Sequence, residues 1–351
     1  MKTRLFICMV SGLITFEQLV HGETVWDTGS AGGDSTSTHR QRIGVGYRMN
    51  YNVSTKFNNL GGFTARSNPG PATGSAVDRT YDDGFNRVDV SGNAGGQTWF
   101  WGYNSASQVV GDSIVMSSRS SNGNQGVEAS DDPQHGIEVT YNLELGGSKR
   151  WRWGLEAGAN YAALNITDNR SLSGNVTTIS DAFALNGVTP PMAPYAGTFI
   201  GPGVMIGSTP TRTVTTTPGG ATILGERQLD ANLFGMRLGP YIELPLSRRF
   251  AISFSGGLAL LEVSSDFQFR ETVNIAGIGT SSRSGSSSED AFMAGGYVSG
   301  NVSFQLTDKF SLFTGVQFYN LGTHTQEANG KSAELDLGTS IGVVLGGSYS
   351  F

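Results

Sequence analysis

The carboxyl-terminal stretch Leu335–Phe351, LDLGTSIGVVLGGSYSF, alternates between apolar and small or polar residues along almost its whole length. The side chains of a strand point to opposite faces with a period of two, so this stretch has one apolar face and one polar face. A tilted strand needs about 9 to 11 residues to cross a bilayer, and these residues exceed that length. The pattern predicts the closing strand of an outer-membrane β-barrel.

Seven further segments alternate in the same way. Each carries apolar or aromatic residues at one parity and charged, amide or small residues at the other, which is typical of a strand with one face in lipid. The segments cover 41–53, 136–145, 151–164, 228–246, 250–263, 291–306 and 310–321. Together with the terminal stretch, they predict an all-β, antiparallel up-and-down transmembrane β-barrel of about eight strands.

The connections between these strands alternate in length. Three are short, and the others are long, with the largest at about 54–135 and 167–227. Short periplasmic turns and long extracellular loops are typical of bacterial outer-membrane barrels. Pieces of the first long loop look strand-like, so ten strands remain an alternative, and a secreted β-sandwich is a second one.

The amino terminus has Lys2 and Arg4 before an apolar run, Leu5 to Phe16, that is too short to span a bilayer as a helix. It predicts a cleaved signal peptide over 1–22, followed by a flexible periplasmic arm over 23–40 and the barrel over 41–351. The only cysteine, Cys8, lies within the signal. The mild net charge of -6 argues against a nucleic-acid partner.

The eight strands and the terminal pattern Val343-x-Leu345-x-Gly347-x-Tyr349-x-Phe351 resemble the small eight-stranded outer-membrane barrels, of which the OmpA-type transmembrane domain is an example. The resemblance covers about Gln41 to Phe351 and is one of architecture. It implies a barrel-insertion signal at Val343, Leu345, Tyr349 and Phe351, read by the barrel-assembly machinery. The first two loops are longer than is typical of that family.

Charged residues at the inward parity of the strands form the main candidate site. An interior of eight strands is just wide enough for side chains to fill, so these charges predict a salt-bridge network inside the barrel. A conducting pore lined by the same groups is the alternative. The set is Arg42, Arg48, Glu138, Glu144, Arg152, Glu156, Arg237, Glu243, Glu334 and Asp336.

Aromatic residues at the outward parity collect near the strand ends, where they predict two interfacial girdles. The periplasmic set is Trp151, Trp153, Phe250, Phe304, Phe310, Tyr349 and Phe351; the opposite set is Tyr51, Tyr161, Phe234, Phe292 and Phe318.

Two loop features suggest chemistry only weakly. His135, beside Asp131 and Asp132, and His324, near Glu327, lie at outer strand ends, where a rim hydrolase would place an acid and a histidine. The run Tyr81 to Asn86, with Asp89 beyond it, has oxygen ligands suited to calcium, but it does not match the EF-hand spacing. The Asp-Gly pair within it favours a turn. We predict no metal, no cofactor and no enzymatic activity.

A thirty-residue stretch without any charge, 182–211, lies in the second long loop and interleaves aromatic and aliphatic residues with prolines. An exposed apolar stretch is unusual unless it packs or binds something. The stretch therefore predicts either a loop that folds back onto the barrel or a partner-binding surface.

We expect a monomeric protein of the cell envelope, surrounded by outer-membrane lipid and lipopolysaccharide, with a structural or surface-binding role. A narrow porin-like channel is the first alternative, and a rim hydrolase the second.

Overall fold

The computed structural model describes residues 40–351, so the predicted signal peptide and all but the last residue of the predicted arm lie outside the described residues. Twenty strands, numbered β1–β20 in chain order, account for most of the described chain, together with two three-residue 3-10 helices, Ala94–Gly96 and Ala106–Gln108. No helix within residues 40–351 is long and apolar enough to cross a membrane.

Eight strands close into an antiparallel ring in the order β1–β9–β10–β14–β15–β16–β17–β20, with β20 pairing back to β1. We call this ring the lower barrel; its strands follow one another in chain order around it. The strands are β1 (Gln41–Tyr51), β9 (Gln134–Gly147), β10 (Arg152–Asp168), β14 (Thr211–Pro245), β15 (Phe250–Ile275), β16 (Gly279–Gln305), β17 (Phe310–Asn320) and β20 (Ser340–Ser350). The predicted all-β antiparallel barrel is confirmed.

A second ladder, the upper barrel, stands on the end of the lower barrel that is opposite the three short turns. Strands β14, β15 and β16 continue into it, and five further strands extend it from β14 in the order β11–β8–β2–β19–β18. These are β2 (Ser54–Phe63), β8 (Ser113–Ser130), β11 (Leu172–Ala184), β18 (Thr323–Ala328) and β19 (Lys331–Asp336). The long loops predicted from the sequence are therefore strands along much of their length.

The remaining strands build a small cap beyond the upper barrel, formed by residues 64–112 and 185–210. Seven short strands frame it: β3 (Arg79–Thr80), β4 (Gly84–Asn86), β5 (Gln97–Thr98), β6 (Trp101–Tyr103), β7 (Val109–Val110), β12 (Tyr195–Ala196) and β13 (Ile206–Gly207). The cap packs onto β8 and β11 through a buried cluster that includes Trp101, Tyr103, Ile114, Phe183 and Ile206.

The two barrels have opposite polarity along the same strands. In β15 the exposed positions are apolar from Phe250 to Leu260 and become polar from Glu262 to Asn274, where Glu262, Asp266 and Arg270 face outward. The buried positions change at the same level, from Ser253 and Ser255 to a run of apolar residues. That run includes Leu261, Val263, Phe267, Phe269, Val273 and Ile275.

The core of the upper barrel is therefore apolar and is shared by strands from both halves of the chain. Val53, Phe57 and Leu60 at its β2 side meet Leu229 to Leu233 of β14 and Val263 to Phe269 of β15. The rings of Phe57 and Phe267 stack with their centroids 5.9 Å apart. Two buried ion pairs interrupt this core, Lys331–Glu271 at 2.9 Å and Arg227–Asp168 at 2.8 Å. The first ties the β18–β19 hairpin to β15.

One predicted strand is wrong in its first part. Residues 335 and 336 belong to β19, which pairs with β18 and β2, and the closing strand begins only at Ser340. Leu335 and Leu337 are buried in the upper core rather than facing lipid. The alternation continues from β19 into β20, but the apolar side chains point inward in β19 and outward in β20.

The upper core can be tested by truncating one of its central rings. Replacing Phe267 with Ala should lower the free energy of unfolding by about 3–5 kcal/mol, because the cavity cannot be filled by its neighbours. Urea unfolding of the refolded chain measures the loss. The neighbouring Gln268→Ala, which changes an exposed side chain, should stay within about 0.5 kcal/mol of the native protein; equal losses for both variants would contradict the buried core.

Candidate functional site

The lumen of the lower barrel holds a compact set of buried charges, placed by the inward parity of β1, β9, β10 and β14. Arg48 donates to Glu138 Oε2 at 2.6 Å, and Arg237 donates to Glu138 Oε1 at 2.7 Å. Arg237 also bridges to Glu156. Each carboxylate is thus held by at least one guanidinium, which a buried ion needs to offset the loss of hydration.

Neutral groups complete the hydrogen bonding of this set. Gln317 donates to Glu138 at 2.8 Å, Asn142 and Ser255 each donate to Glu156 at 2.8 Å, and Asn50 accepts from Arg48 Nε at 2.6 Å. The guanidinium groups also lie over aromatic rings: Arg48 is 4.9 Å from the centroid of Tyr319, and Arg237 is 5.1 Å from that of Tyr297. We call these residues, together with the four charged ones, the lumen network.

A second ion-pair cluster lies nearer the short turns. Glu243 accepts from Arg42 at 2.8 Å and from Arg152 at 3.2 Å. Glu144 forms no ion pair within 4 Å among residues 40–351, and its backbone N–H donates to Arg40 O. The structure therefore brings together seven of the ten predicted lumen charges in two clusters.

Two predicted lumen charges lie elsewhere. Glu334 and Asp336 are in β19 of the upper barrel, where Glu334 sits opposite Lys56 in the ladder and Asp336 accepts from the backbone N–H of Gly338. Neither faces the lower lumen. The alternation predicts an inward position for Glu334 and Asp336 only if one closing strand runs through Leu337 to Thr339. At these residues the chain leaves the ladder of β19 and enters that of β20.

Charge alone does not identify the neutral members of the lumen network. Gln317 and Tyr319 alternate with Val316 and Phe318 along β17, and Ser255 alternates with Phe254 along β15. Their parity therefore carried the signal, although it did not say which of them would reach the charged groups.

The residues of the implied insertion signal share one outer face at the end of β20. Val343 is half-buried, while Leu345, Tyr349 and Phe351 are exposed, and the rings of Tyr349 and Phe351 stack at 6.4 Å. Gln41 and Phe351 exchange two backbone hydrogen bonds, of 3.2 and 3.0 Å, which join the first and last strands at this end.

The two histidines of the predicted rim site point in different directions. His135 lies on the outer surface of the lower barrel, where its ring stacks on Tyr47 and its Nδ1 is 2.5 Å from the tyrosine hydroxyl. His324 is buried in the upper barrel, while Glu327 of the same strand is on the opposite, exposed face. Asp132 accepts from the backbone N–H of Asn52. No acid–histidine pair is assembled by these residues.

The acidic residues Asp82, Asp83 and Asp89 of the cap accept hydrogen bonds from backbone N–H groups. Residues Tyr81 to Gly84 form the turn between β3 and β4, Asp82 accepts from the N–H of Arg119, and Asp83 accepts from that of Ser117. Burial alone would raise the pKa of Asp89, but hydrogen bonds from Ser91, Asn93 and Trp99 outweigh it and lower that pKa. In the part of the chain that the structure describes, no three His, Cys, Asp or Glu side chains converge as a metal site would require.

A buried polar anchor fastens the cap to the upper barrel. Asp181 of β11 receives two hydrogen bonds from Arg212, of 2.8 and 2.6 Å, and one from the Tyr81 hydroxyl at 2.5 Å. Burial, and then the hydrogen bond to Asp181, raise the pKa of Tyr81, and the bond to Asp181 raises the pKa of Arg212. Tyr81 belongs to the cap and Asp181 to β11 of the upper barrel, so this anchor joins the two.

The outer surface of the cap carries an exposed apolar patch. Phe199 and Ile200 are 50% and 75% exposed, and Val90, whose N–H donates to Phe199 O, is 58% exposed. Phe100 lies beneath Phe199 in an edge-to-face contact at 6.2 Å. Arg87 completes the patch, with its guanidinium 5.6 Å from the Phe100 centroid. We call these five residues the cap patch.

The uncharged stretch 182–211 thus has two roles in the structure. Phe183, Leu185 and Ile206 are buried in the core of the cap, whereas Met192, Phe199 and Ile200 face solvent. The stretch folds back onto the upper barrel, as one of the two sequence interpretations expected, and it also leaves an exposed surface.

No protein-family model matches the chain, and no curated protein does. Among solved structures, the chain is similar to the attachment invasion locus protein Ail of Yersinia pestis, at 7% identity and a TM-score of 0.28, with 89% of this chain and 99% of that chain covered. It is also similar to the outer membrane protease OmpT of Escherichia coli, at 11% identity and a TM-score of 0.31, with 90% and 98% covered. A Pseudomonas aeruginosa FadL homologue matches at 10% identity and a TM-score of 0.17, with 89% and 90% covered.

Sequence identities of 7% to 11% do not allow an activity to be transferred to this chain. The fold is defined by the pairing of its own strands. This pairing gives the lower barrel the architecture of the small eight-stranded outer-membrane barrels that the sequence resembles.

Removing the shared acid of the lumen network provides a direct test of its role. Glu138→Ala should destabilise the barrel by about 3–5 kcal/mol, because Arg48 and Arg237 then remain buried without their common carboxylate. Urea unfolding of the refolded chain measures the difference. Glu144→Ala removes the same charge from a half-buried position without an ion pair and should cost less than about 1 kcal/mol. A Glu138 variant as stable as the Glu144 variant would show that the network does not hold the barrel.

Proposed function

We propose that the lower barrel spans a bacterial outer membrane. The observation that supports this is its reversed polarity, with charged groups inside and apolar side chains outside, which is favourable in lipid and unfavourable in water. Closure of the ring also leaves no unpaired strand edge in the bilayer, as a spanning barrel requires. Its exposed outer side chains include Ile43, Val45, Leu155, Leu238, Leu258, Val298, Leu312, Val316 and Leu345.

The end with the short turns then faces the periplasm. Exposed rings surround this end, as interfacial aromatics do at the level of lipid headgroups; they include Trp151, Trp153, Phe250, Phe310, Tyr349 and Phe351. This orientation places the face formed by Val343, Leu345, Tyr349 and Phe351 where the barrel-assembly machinery would read it. A single chain closes the ring, which favours a monomer surrounded by outer-membrane lipid and lipopolysaccharide.

The lumen supports a structural role better than a transport role. Two cavities have volumes of about 30 Å³: one lies within the lower barrel beside Arg42 and Asn142, and the other lies at its junction with the upper barrel, beside Asn50 and Leu337. A volume of this size holds about one water molecule. The lumen network lies between them, and the apolar core of the upper barrel covers the outer end. A solute would have to displace both buried layers.

The arrangement of potential catalytic groups does not favour a rim hydrolase. His135 faces the outer surface, His324 is buried, and the nearby carboxylate of Asp132 is occupied by backbone. General acid–base catalysis needs such groups within hydrogen-bond reach of one another or of a shared substrate. We therefore favour a non-catalytic protein.

The upper barrel raises the cap far above the membrane. In β14, the exposed face becomes polar at Asn232, and Thr211 at the start of the strand is 21 residues away. At about 3.3 Å per residue and a tilt of about 40°, this length corresponds to about 50 Å along the barrel axis. A rigid column of this height, with a packed core, suits the display of a binding surface beyond the lipid headgroups.

We infer that the cap patch binds an extracellular protein. Phenylalanine and arginine are enriched at protein–protein interfaces, and an exposed apolar patch at the top of a soluble column is unusual without a partner. The stacked Arg87 adds a positive group at the edge of the patch. A partner with an apolar anchor and an acidic neighbour would fit it.

The patch is tested with a double substitution that leaves the core of the cap in place. Cells displaying the protein are measured for retention on a panel of immobilised extracellular-matrix proteins. Phe199→Ser with Ile200→Ser should lower retention on the bound matrix protein at least tenfold, since each side chain is an exposed anchor (~1.4 kcal/mol per tenfold).

The matched control is Val214→Ser with Leu224→Ser, which removes two exposed apolar side chains from β14 below the cap. It should bind as the native protein does. Two results would contradict the proposed surface. One is that cells carrying the cap substitutions are retained as well as native cells. The other is that cells displaying the native protein are retained on no member of the panel. Deleting 182–211 would be uninformative, because Phe183 and Ile206 belong to the core of the cap.

A further inference from the structure

The three short turns of the lower barrel share one construction. They are Ser148–Trp151, Ser247–Phe250 and Thr307–Phe310, each with a hydroxyl residue first and an aromatic residue last. In each, the hydroxyl oxygen accepts from the backbone N–H two residues on, at 3.2, 3.2 and 3.4 Å. The N–H of the hydroxyl residue donates to the carbonyl of the aromatic residue in all three. The same turn is therefore built three times.

This construction places a basic residue directly before an exposed aromatic ring in every turn. Lys149 and Arg150 precede Trp151, Arg248 and Arg249 precede Phe250, and Lys309 precedes Phe310. With Arg40 at the entry to β1, six cations surround this end of the barrel, and Asp308 is the one acid within the turns. None of the six forms an ion pair within residues 40–351, although Lys309 Nζ lies 6.0 Å from the Tyr349 centroid.

The charges of this rim differ from those of the lumen. Inside the barrel, Arg48 and Arg237 are matched with carboxylates, whereas the five basic side chains of the turns are exposed. Exposed cations at the level of interfacial aromatics attract the phosphates of anionic lipid, by about 1 kcal/mol for each Lys or Arg near the surface. The ring of charge thus lies where headgroups would be.

We propose that this rim binds the phosphate groups of anionic phospholipids in the periplasmic leaflet, an inference that rests on the proposed membrane-spanning role of the lower barrel. A lipid partner is favoured over a soluble polyanion because each basic pair adjoins a ring that faces the lipid. A single lipid therefore contacts both groups: its phosphate lies at the cations of the turn, and its acyl chain lies against the barrel wall beside the ring.

The test measures lipid selectivity of the refolded mature chain, residues 23–351, in phosphatidylcholine vesicles. Trace spin-labelled phosphatidylglycerol and phosphatidylcholine are compared by the fraction that the barrel immobilises. We expect phosphatidylglycerol to be preferred about fivefold, corresponding to about 1 kcal/mol. The preference should disappear at about 1 M salt, where the screening length falls to about 3 Å.

Matched double substitutions locate the effect on the rim. Arg248→Gln with Arg249→Gln should lower the preference at least twofold, whereas Arg270→Gln with Arg283→Gln, which removes the same charge from two exposed residues of the upper barrel, should leave it unchanged. Equal losses for the two variants would overturn the proposal.

The native protein alone also separates the possible failures. A barrel that immobilises both lipids equally at low salt would overturn the rim proposal while leaving the membrane-spanning role intact. A chain that immobilises neither lipid would overturn the membrane-spanning role, and the rim proposal with it.

Discussion

Continuous strand ladders whose two faces exchange polarity partway along the strands impose the main constraint on this structure. A strand keeps its two faces along its length, because neighbouring side chains always point to opposite sides of the sheet. Where the surroundings change from apolar to polar, both faces must change their chemistry at the same level. Strand β15 does so between Leu260 and Glu262 on its outer face, and between Ser255 and Leu261 on its inner face.

This reversal explains why one chain has two kinds of core. Below it, apolar side chains cover the outside, which on our proposal faces lipid, and the inside is filled by charges that need partners, with Glu138 between Arg48 and Arg237. Above it, water covers the outside, so the inside can pack as an ordinary apolar core around Phe57 and Phe267. Both cores close the lumen, so the functions that we propose involve the surfaces at the two ends: the cap patch and the basic rim.

The lower barrel could be predicted from sequence because its outward apolar parity repeats in eight segments. The upper barrel could not be predicted in the same way, because its apolar residues occupy the inward parity and not the outward one. From Leu261 to Ile275 the alternation persists, with apolar residues at the inward parity, whereas the predicted strand ends at residue 263 and a long loop is predicted beyond it. Leu335 and Leu337 were assigned to lipid for the same reason, and this assignment also moved Glu334 and Asp336 into the lumen.

The cap was less accessible to prediction for a different reason. Its strands are two or three residues long, and Trp101, Phe183 and Ile206 come from segments that are distant in the chain. Such short strands have no measurable period, so composition alone indicated that the stretch 182–211 packs or binds. Which of its apolar residues are buried depends on tertiary contacts, including the anchor at Asp181.

A cysteine scan along β15 would test the polarity reversal most directly, because the predicted mature chain contains no other thiol. Single substitutions at Ile252, Phe254, Leu258, Leu260, Glu262, Ser264, Asp266 and Gln268 are reconstituted in vesicles and exposed to a membrane-impermeant maleimide. We expect protection from Phe254 to Leu260 and rapid labelling from Glu262 onward. Uniform labelling along the strand, or protection that continues to Gln268, would contradict a membrane boundary at this level.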